Sequence, residues 1–198
     1  MAIEISLVFI QVTVAWFLAD FITGVFHWFE DLYLGENMTL EFLQSIAIDN
    51  RHHHTCPTAL CLGSWWSNMR SATLAAVPVA FVAWLCGAPL WLWLGFGFCS
   101  FGNLIHRFAH EPPRRIGRVL HFMQWTGIFI SPNHHRRHHY NPTTRKRVDP
   151  KWLSMGGYCP MTNWVNPVLD GLRFWVALEW ALAKCGLHRV RTEERSAS

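Results

Sequence analysis

The chain has 198 residues, enough for one domain with a substantial core and too few for two. Hydrophobic residues make up 51% and charged residues only 15%, with 12 Trp and 14 Phe; ordinary soluble domains carry roughly 25% charged residues, so that class is set aside. The net charge is +4, and the apolar residues come in long blocks, which points to an integral membrane protein.

None of the six cysteines forms a C-x-x-C pair, so neither a disulfide framework nor a cysteine zinc site is expected. The N-terminus lacks a basic n-region and a small-residue cleavage site, and reads as a retained first helix. Residues 3–28 are apolar except for Glu4, Gln11 and Asp20, long enough to span the hydrocarbon layer of about 30 Å. Asp20, Gly24, His27 and Asp31 share one face of that helix. A carboxylate inside a span serves either a neighbouring helix, as a hydrogen-bond acceptor, or a site.

Residues 32–70 are mixed and polar, with a turn signal at Gly35-Glu36-Asn37 and a breaker at Pro57 after the run Asp49-Asn50-Arg51-His52-His53-His54. Apolar sequence runs from Ala72 to Phe101 and is broken at Gly87-Ala88-Pro89, predicting two spanning helices over 71–86 and 89–110 joined by a short turn. Such a hairpin returns the chain to the face it left. His27, His52 to His54, His106, His110 and His134 to His139 then share one face. All 17 Lys and Arg follow residue 50, and none lies in the 86–90 turn, so the positive-inside tendency makes the histidine face cytoplasmic. Residues 116–131 suggest an interfacial or re-entrant helix, with a tilted span as the alternative. Residues 141–151 are basic and proline-punctuated. Residues 164–186 predict an amphipathic interfacial helix beginning near Asn166-Pro167. The predicted domain is 1–187, followed by a disordered tail over 188–198. There is no internal repeat.

Eleven of the 12 histidines lie between residues 27 and 139. Four of them fall in the six residues His134-His135-Arg136-Arg137-His138-His139, and His106 and His110 are i, i+4 on one helix face. Imidazole suits iron, copper, zinc and nickel alike. A zinc ion is usually satisfied by four ligands, so eight or more imidazoles with Asp31 suit a pair of metal ions better.

A metal pair at a membrane surface can meet a lipid chain, and breaking an unactivated C–H bond calls for iron with dioxygen. Loss of two hydrogens gives a double bond, while return of oxygen gives a hydroxylase, and the ligand set leaves both open. Without a G-x-G-x-x-G fingerprint, electrons are expected from a separate donor. His110-Glu111-Pro112-Pro113 fails the His-Glu-x-x-His pattern of zinc proteases. A haem protein or a metal transporter would place ligands deeper in the spans. Arg136-Arg137 and Arg145-Lys146-Arg147 suit anionic headgroups better than nucleic acid. A histidine-rich metal-binding membrane protein without activity is the non-enzyme alternative.

Asp20-Phe21-x-x-Gly24-x-x-His27-Trp28-x-x-Asp31, His53-His54-x-x-Pro57-Thr58-Ala59, Asn103-x-x-His106-x-x-x-His110 and His134-His135-x-x-His138-His139 stand in that order. They resemble the four motifs of the lipid desaturases of the Kua type. That family includes plasmanylethanolamine desaturase, a bacterial carotenogenesis regulator and a plant plastid phosphatidylglycerol palmitate desaturase. Tyr158-Cys159, Thr162-Asn163-Trp164-Val165-Asn166, Leu169 and Phe174-Trp175 are similar to its C-terminal segment, so the resemblance covers about residues 19–180. It implies an all-α integral membrane bundle with two iron ions at the cytoplasmic face. Dioxygen would be the co-substrate, a membrane phospholipid the substrate, and a cytochrome b5 or ferredoxin type protein the electron donor.

Carried over by motif, His27, His53, His54, His106, His110, His135, His138 and His139 would be ligands. Asp31 would be a ligand or orient one, and Asp20 would fix the ring tautomer of a metal-bound histidine. His52 and His134 flank the matched positions. Animal members carry a histidine before the fourth motif where this chain has Gln124-Trp125-Thr126-Gly127, Lys146 to Met155 is longer than in those members, and Leu169-Asp170 leans toward the plant type. The substrate chain is therefore open between a 1-O-alkyl ether and a fatty acyl group.

Overall fold

The computed structural model describes residues 2–139 and 156–190. Among them there is no strand. The organising element is α1 (Ala2–Tyr33), 32 residues of nearly unbroken apolar sequence. With α3 (Trp65–Leu85) it is one of two helices among the described residues that are long and apolar enough to cross a membrane. Between them lie α2 (Glu41–Thr55) and a short 3-10 segment, Pro57–Cys61, set off by the proline.

α3 starts six residues before the predicted 71 because Ser64 caps it, its hydroxyl accepting from the Ser67 amide at 3.0 Å. The predicted helix over 89–110 is three pieces: α4 (Leu90–Phe98), a 3-10 turn at Cys99–Phe101, and α5 (Gly102–His110). Glycines let these pieces sit close on α1. A Cβ on Gly95 would lie 2.8 Å from Leu18, and one on Gly102 would lie 2.8 Å from Thr23. Glycine-rich helix sequence buys that approach at the expense of helix propensity.

α6 (Pro113–Trp125) bends at Gly117, whose φ of 75° no helix interior accommodates, and α7 (Pro132–His139) follows. The predicted single helix over 164–186 is two, α8 (Val165–Gly171) and α9 (Phe174–Lys184). The left-handed backbone of Arg173, φ 54°, turns the chain between them. Of the expected disordered tail, residues 188–190 are placed: the Val190 amide donates to the Leu32 carbonyl at 3.0 Å, and Arg189 pairs with Glu179. Residues 191–198 and the basic stretch 141–151 lie outside the described residues.

α1 packs on α4, and α4 on α3. Trp28, Leu32, Tyr158, Cys159 and Trp175 form a buried cluster beneath the C-terminal half of α1. The last turns of α1 and the end of α5 thereby reach the same end of the bundle, where α2 and α7 cross them.

Candidate metal centre

Nine side chains converge at that end in two groups. His53, His106, His110, His135 and His139 form one; His27, Asp31, His54 and His138 form the other; the ligand atoms within each group lie within 4.8 Å of one another. These are the nine residues that the motifs single out. His52 and His121 are exposed and His134 half-buried, and all three lie outside both groups.

Helix geometry explains the division. Successive residues of a helix point about 100° apart. His53 and His54 of α2 therefore face different groups, and so do His135 and His139 of α7 on one side and His138 on the other. α5 serves only the first group, through the i, i+4 pair His106 and His110. α1 serves only the second, through the i, i+4 pair His27 and Asp31. The groups abut, with the His27 and His106 rings 5.1 Å apart and those of His53 and His54 5.5 Å apart.

In the first group the Nε2 atom of His135 lies 2.8 Å from Nε2 of His106 and 2.9 Å from Nε2 of His139. Both nitrogens of buried His53, and Nε2 of His110, have no hydrogen-bond partner among the described residues. Unpaired buried nitrogens are costly and ordinarily avoided. Burial first, and then neighbouring imidazoles, hold His53 and His135 well below the ordinary value of 6.5, and His139 is lowered by the same causes. Neutral rings with lone pairs aimed at a common point are what a metal ion accepts, so the donor set fits one.

In the second group Asp31 is the hub. Its Oδ1 accepts from Asn50 Nδ2 at 2.7 Å and lies 2.8 Å from His54 Nε2; its Oδ2 lies 3.1 Å from His138 Nε2 and 3.7 Å from His27 Nε2. His27 Nδ1 donates to the Tyr158 carbonyl at 2.9 Å, which leaves its Nε2 lone pair for the group. Three imidazoles and one carboxylate suit a first-row transition-metal ion.

Asp20 does not meet an imidazole directly. Its oxygens accept from the Met161 amide at 2.7 Å, the Thr162 amide at 3.1 Å and the Thr162 hydroxyl at 2.7 Å, and no imidazole is among these partners. Asn50 and the Tyr158 carbonyl hold Asp31 and His27, and neither was foreseen. Asn50 sits one helical turn before His53 and His54, a spacing that could have marked it; a backbone carbonyl leaves no side-chain signal.

The model of the lipid desaturase domain matches residues 16–193. The chain belongs to the lipid desaturase family. Within the family it is 26% identical over 180 residues to a probable fatty acid desaturase of Acanthamoeba polyphaga mimivirus, covering 86% of this chain and 80% of the relative. It is 28% identical over 172 residues to the chloroplastic fatty acid desaturase 4-like 2 of Arabidopsis thaliana, covering 83% and 56%. To the plasmanylethanolamine desaturase of Myxococcus xanthus it is 26% identical over 179 residues, covering 85% and 58%. The chain thus spans a little over half the length of the plant and bacterial relatives. No solved structure matches the chain.

Proposed function

We propose that this chain is an integral-membrane lipid desaturase that uses two iron ions and dioxygen to place a double bond in an alkyl or acyl chain of a phospholipid. The observation that carries this reading is the partition of nine inward-facing ligands into two abutting groups at the end of a membrane-length helix. The first group, His53, His106, His110, His135 and His139, would hold one iron, and the second, His27, Asp31, His54 and His138, the other. Bound there with dioxygen and two electrons, iron supplies the oxidising power to take hydrogen from an unactivated methylene. The balance is R–CH2–CH2–R′ + O2 + 2 e⁻ + 2 H⁺ → R–CH=CH–R′ + 2 H2O.

The protein's own residues supply neutral imidazoles, a single carboxylate and a buried setting. Asp31 brings negative charge to one group only, so the two metal positions differ. Burial of His135, His138 and His139 keeps bulk water from the centre. The two electrons must come from outside. Arg136 and Arg137 stay exposed between the buried ligands of α7, a cationic ridge that suits an acidic electron-transfer protein of the cytochrome b5 or ferredoxin type. The basic side chains all follow residue 50, which supports placing this end of the bundle in the cytoplasm.

Relatives named for fatty acids and for plasmanylethanolamine leave the chain type to experiment. Membranes of a host expressing the protein and fed an alkyl ether phospholipid are analysed by lipid mass spectrometry, with His138→Ala as control. An acid-labile ether lipid lighter by two hydrogens assigns the vinyl-ether reaction. A new unsaturated acyl chain assigns the acyl reaction. An added oxygen atom in place of lost hydrogens identifies a hydroxylase. No change in any pool, from protein that carries iron, refutes the enzymatic reading in favour of a metal-binding membrane protein.

A further inference from the structure

The segment from Tyr158 to Thr162 lies along one face of α1 and runs antiparallel to it. Its Tyr158 carbonyl meets His27 Nδ1, its Cys159 sits over Gly24, and its Met161 and Thr162 amides meet Asp20. The lengths agree: seven helical residues rise about 10.5 Å, and four residues of near-extended chain reach about 13 Å. The face Asp20, Gly24, His27 is therefore the seat of a strap.

Tyr158, Cys159, Met161 and Thr162 are each fully buried, as is Asp20. The strap's ends are tied independently. Thr162 Oγ1 donates to Asp20 at 2.7 Å and accepts from the Trp164 amide at 3.1 Å, at the start of α8. Asn166 brackets Cys159, taking its amide on Oδ1 and giving Nδ2 to its carbonyl, both at 2.8 Å. The Met161 carbonyl accepts from the Ile130 amide at 2.7 Å, just before α7.

We infer that Asp20 is a positioning residue: with Thr162 it fixes the register of the strap on α1, and the strap's Tyr158 carbonyl then sets the ring and tautomer of His27 in the second metal group. The inference rests on the metal reading above. A carboxylate is needed because three donors meet two oxygens. An amide accepts through one oxygen only and turns its own N–H groups on the others. Asp20 thus acts on His27 from two helical turns away without touching it, and the lost partner of a metal-bound imidazole typically weakens metal affinity 10–100-fold.

The test is titration of the metal-free protein in detergent with cobalt(II), following ligand-field absorption and metal per chain. Wild type, His27→Ala, Asp20→Asn, Thr162→Val and Thr162→Ser are compared, with helicity by circular dichroism as the fold check. The wild type is expected to take two equivalents, and His27→Ala marks the binding step that belongs to the second group. Asp20→Asn and Thr162→Val are expected to weaken that same step at least tenfold at unchanged helicity, with Thr162→Ser restoring it. Should Asp20→Asn fail to fold, Thr162→Val decides the question, since it removes one hydroxyl and keeps the shape. Two wild-type equivalents bound unchanged by Thr162→Val, or both steps weakened equally, would overturn the role of Asp20 alone. A wild-type chain that binds no cobalt would overturn the metal reading and this inference with it.

Discussion

Gly24→Ala is the smallest change that tests the seat of the strap. A Cβ at this position would stand 2.6 Å from the Cys159 sulfur, 3.0 Å from its Cα and 3.3 Å from its Cβ. Comfortable carbon–carbon contacts begin near 3.5 Å, so Cys159 must retreat by roughly 0.5–1 Å. It has little freedom to do so, because Asn166 holds its amide and carbonyl and Asp20 holds the next two amides but one. The Tyr158 carbonyl belongs to the same peptide unit as the Cys159 amide, so its 2.9 Å bond to His27 stretches beyond hydrogen-bond range. Overpacking costs about 1–3 kcal/mol, and a lost buried hydrogen bond adds about 1 kcal/mol. For a chain of this size the sum corresponds to a fall in Tm of about 5–15 °C. The assay is thermal unfolding of metal-free protein in one detergent, with Cys159→Ala and the double variant completing a cycle. Removing the sulfur relieves the shortest contact, so the double variant is expected to be destabilised by about 1 kcal/mol less than the sum of the singles. A Gly24→Ala protein that melts within 2 °C of wild type (roughly the lower limit of a resolvable change) would refute the close seating of the strap.

A second prediction concerns the buried Arg107, which donates through Nε to Glu111 at 2.6 Å, through Nη2 to the Cys61 carbonyl at 3.0 Å and through Nη1 to the Gly63 carbonyl. Arg107→Met strands Glu111 and should destabilise the fold by about 3–5 kcal/mol, and Glu111→Gln in the same chain should recover part of it; a thermal shift under 3 °C, roughly the effect of one weak contact, would count against the clamp. A third is a pH dependence of the metal-free protein. The imidazoles of His53, His135 and His139 are lowered in the fold, so below about 6.5 the unfolded chain binds more protons than the folded one. Their contribution is fully present above that pH and is lost as pH falls. Tm is expected to decline from pH 7 to pH 5, and a flat or rising profile would contradict neutral burial of these rings.

Much of the arrangement was legible because helical periodicity and metal chemistry constrain the same residues. Asp20, Gly24, His27 and Asp31 could be put on one face of α1 by spacing alone, and the i, i+4 pair His106 and His110 likewise. The partners of Asp20 were not, because they are the Met161 and Thr162 amides more than a hundred residues away, and an amide partner carries no sequence signature. The same holds for the Tyr158 carbonyl. The 3-10 turn at Cys99–Phe101 has no breaker in its own sequence to announce it, and the close seating of Gly95 and Gly102 on α1 is a tertiary fact. The division of α8 from α9 turns on one left-handed residue, Arg173, which is not of a type that favours that backbone.

The division of ligands among helices has a mechanical consequence. α2 and α7 each supply both groups, and α1 and α5 supply one each. A displacement of α7 therefore disturbs both groups together, while a displacement of α1 disturbs only the group that contains Asp31. The first group takes its rings from three helices and its members contact one another directly, with Nε2 separations of 2.8 and 2.9 Å fixed by side-chain convergence. His27 Nε2 is 3.7 Å from the nearest Asp31 oxygen, and the hydrogen bond that fixes its ring is the one at its other nitrogen, to the Tyr158 carbonyl. His27 is also the ring that the Tyr158 to Thr162 strap reaches, and the strap's anchor, Asp20, is a carboxylate buried in the middle of α1.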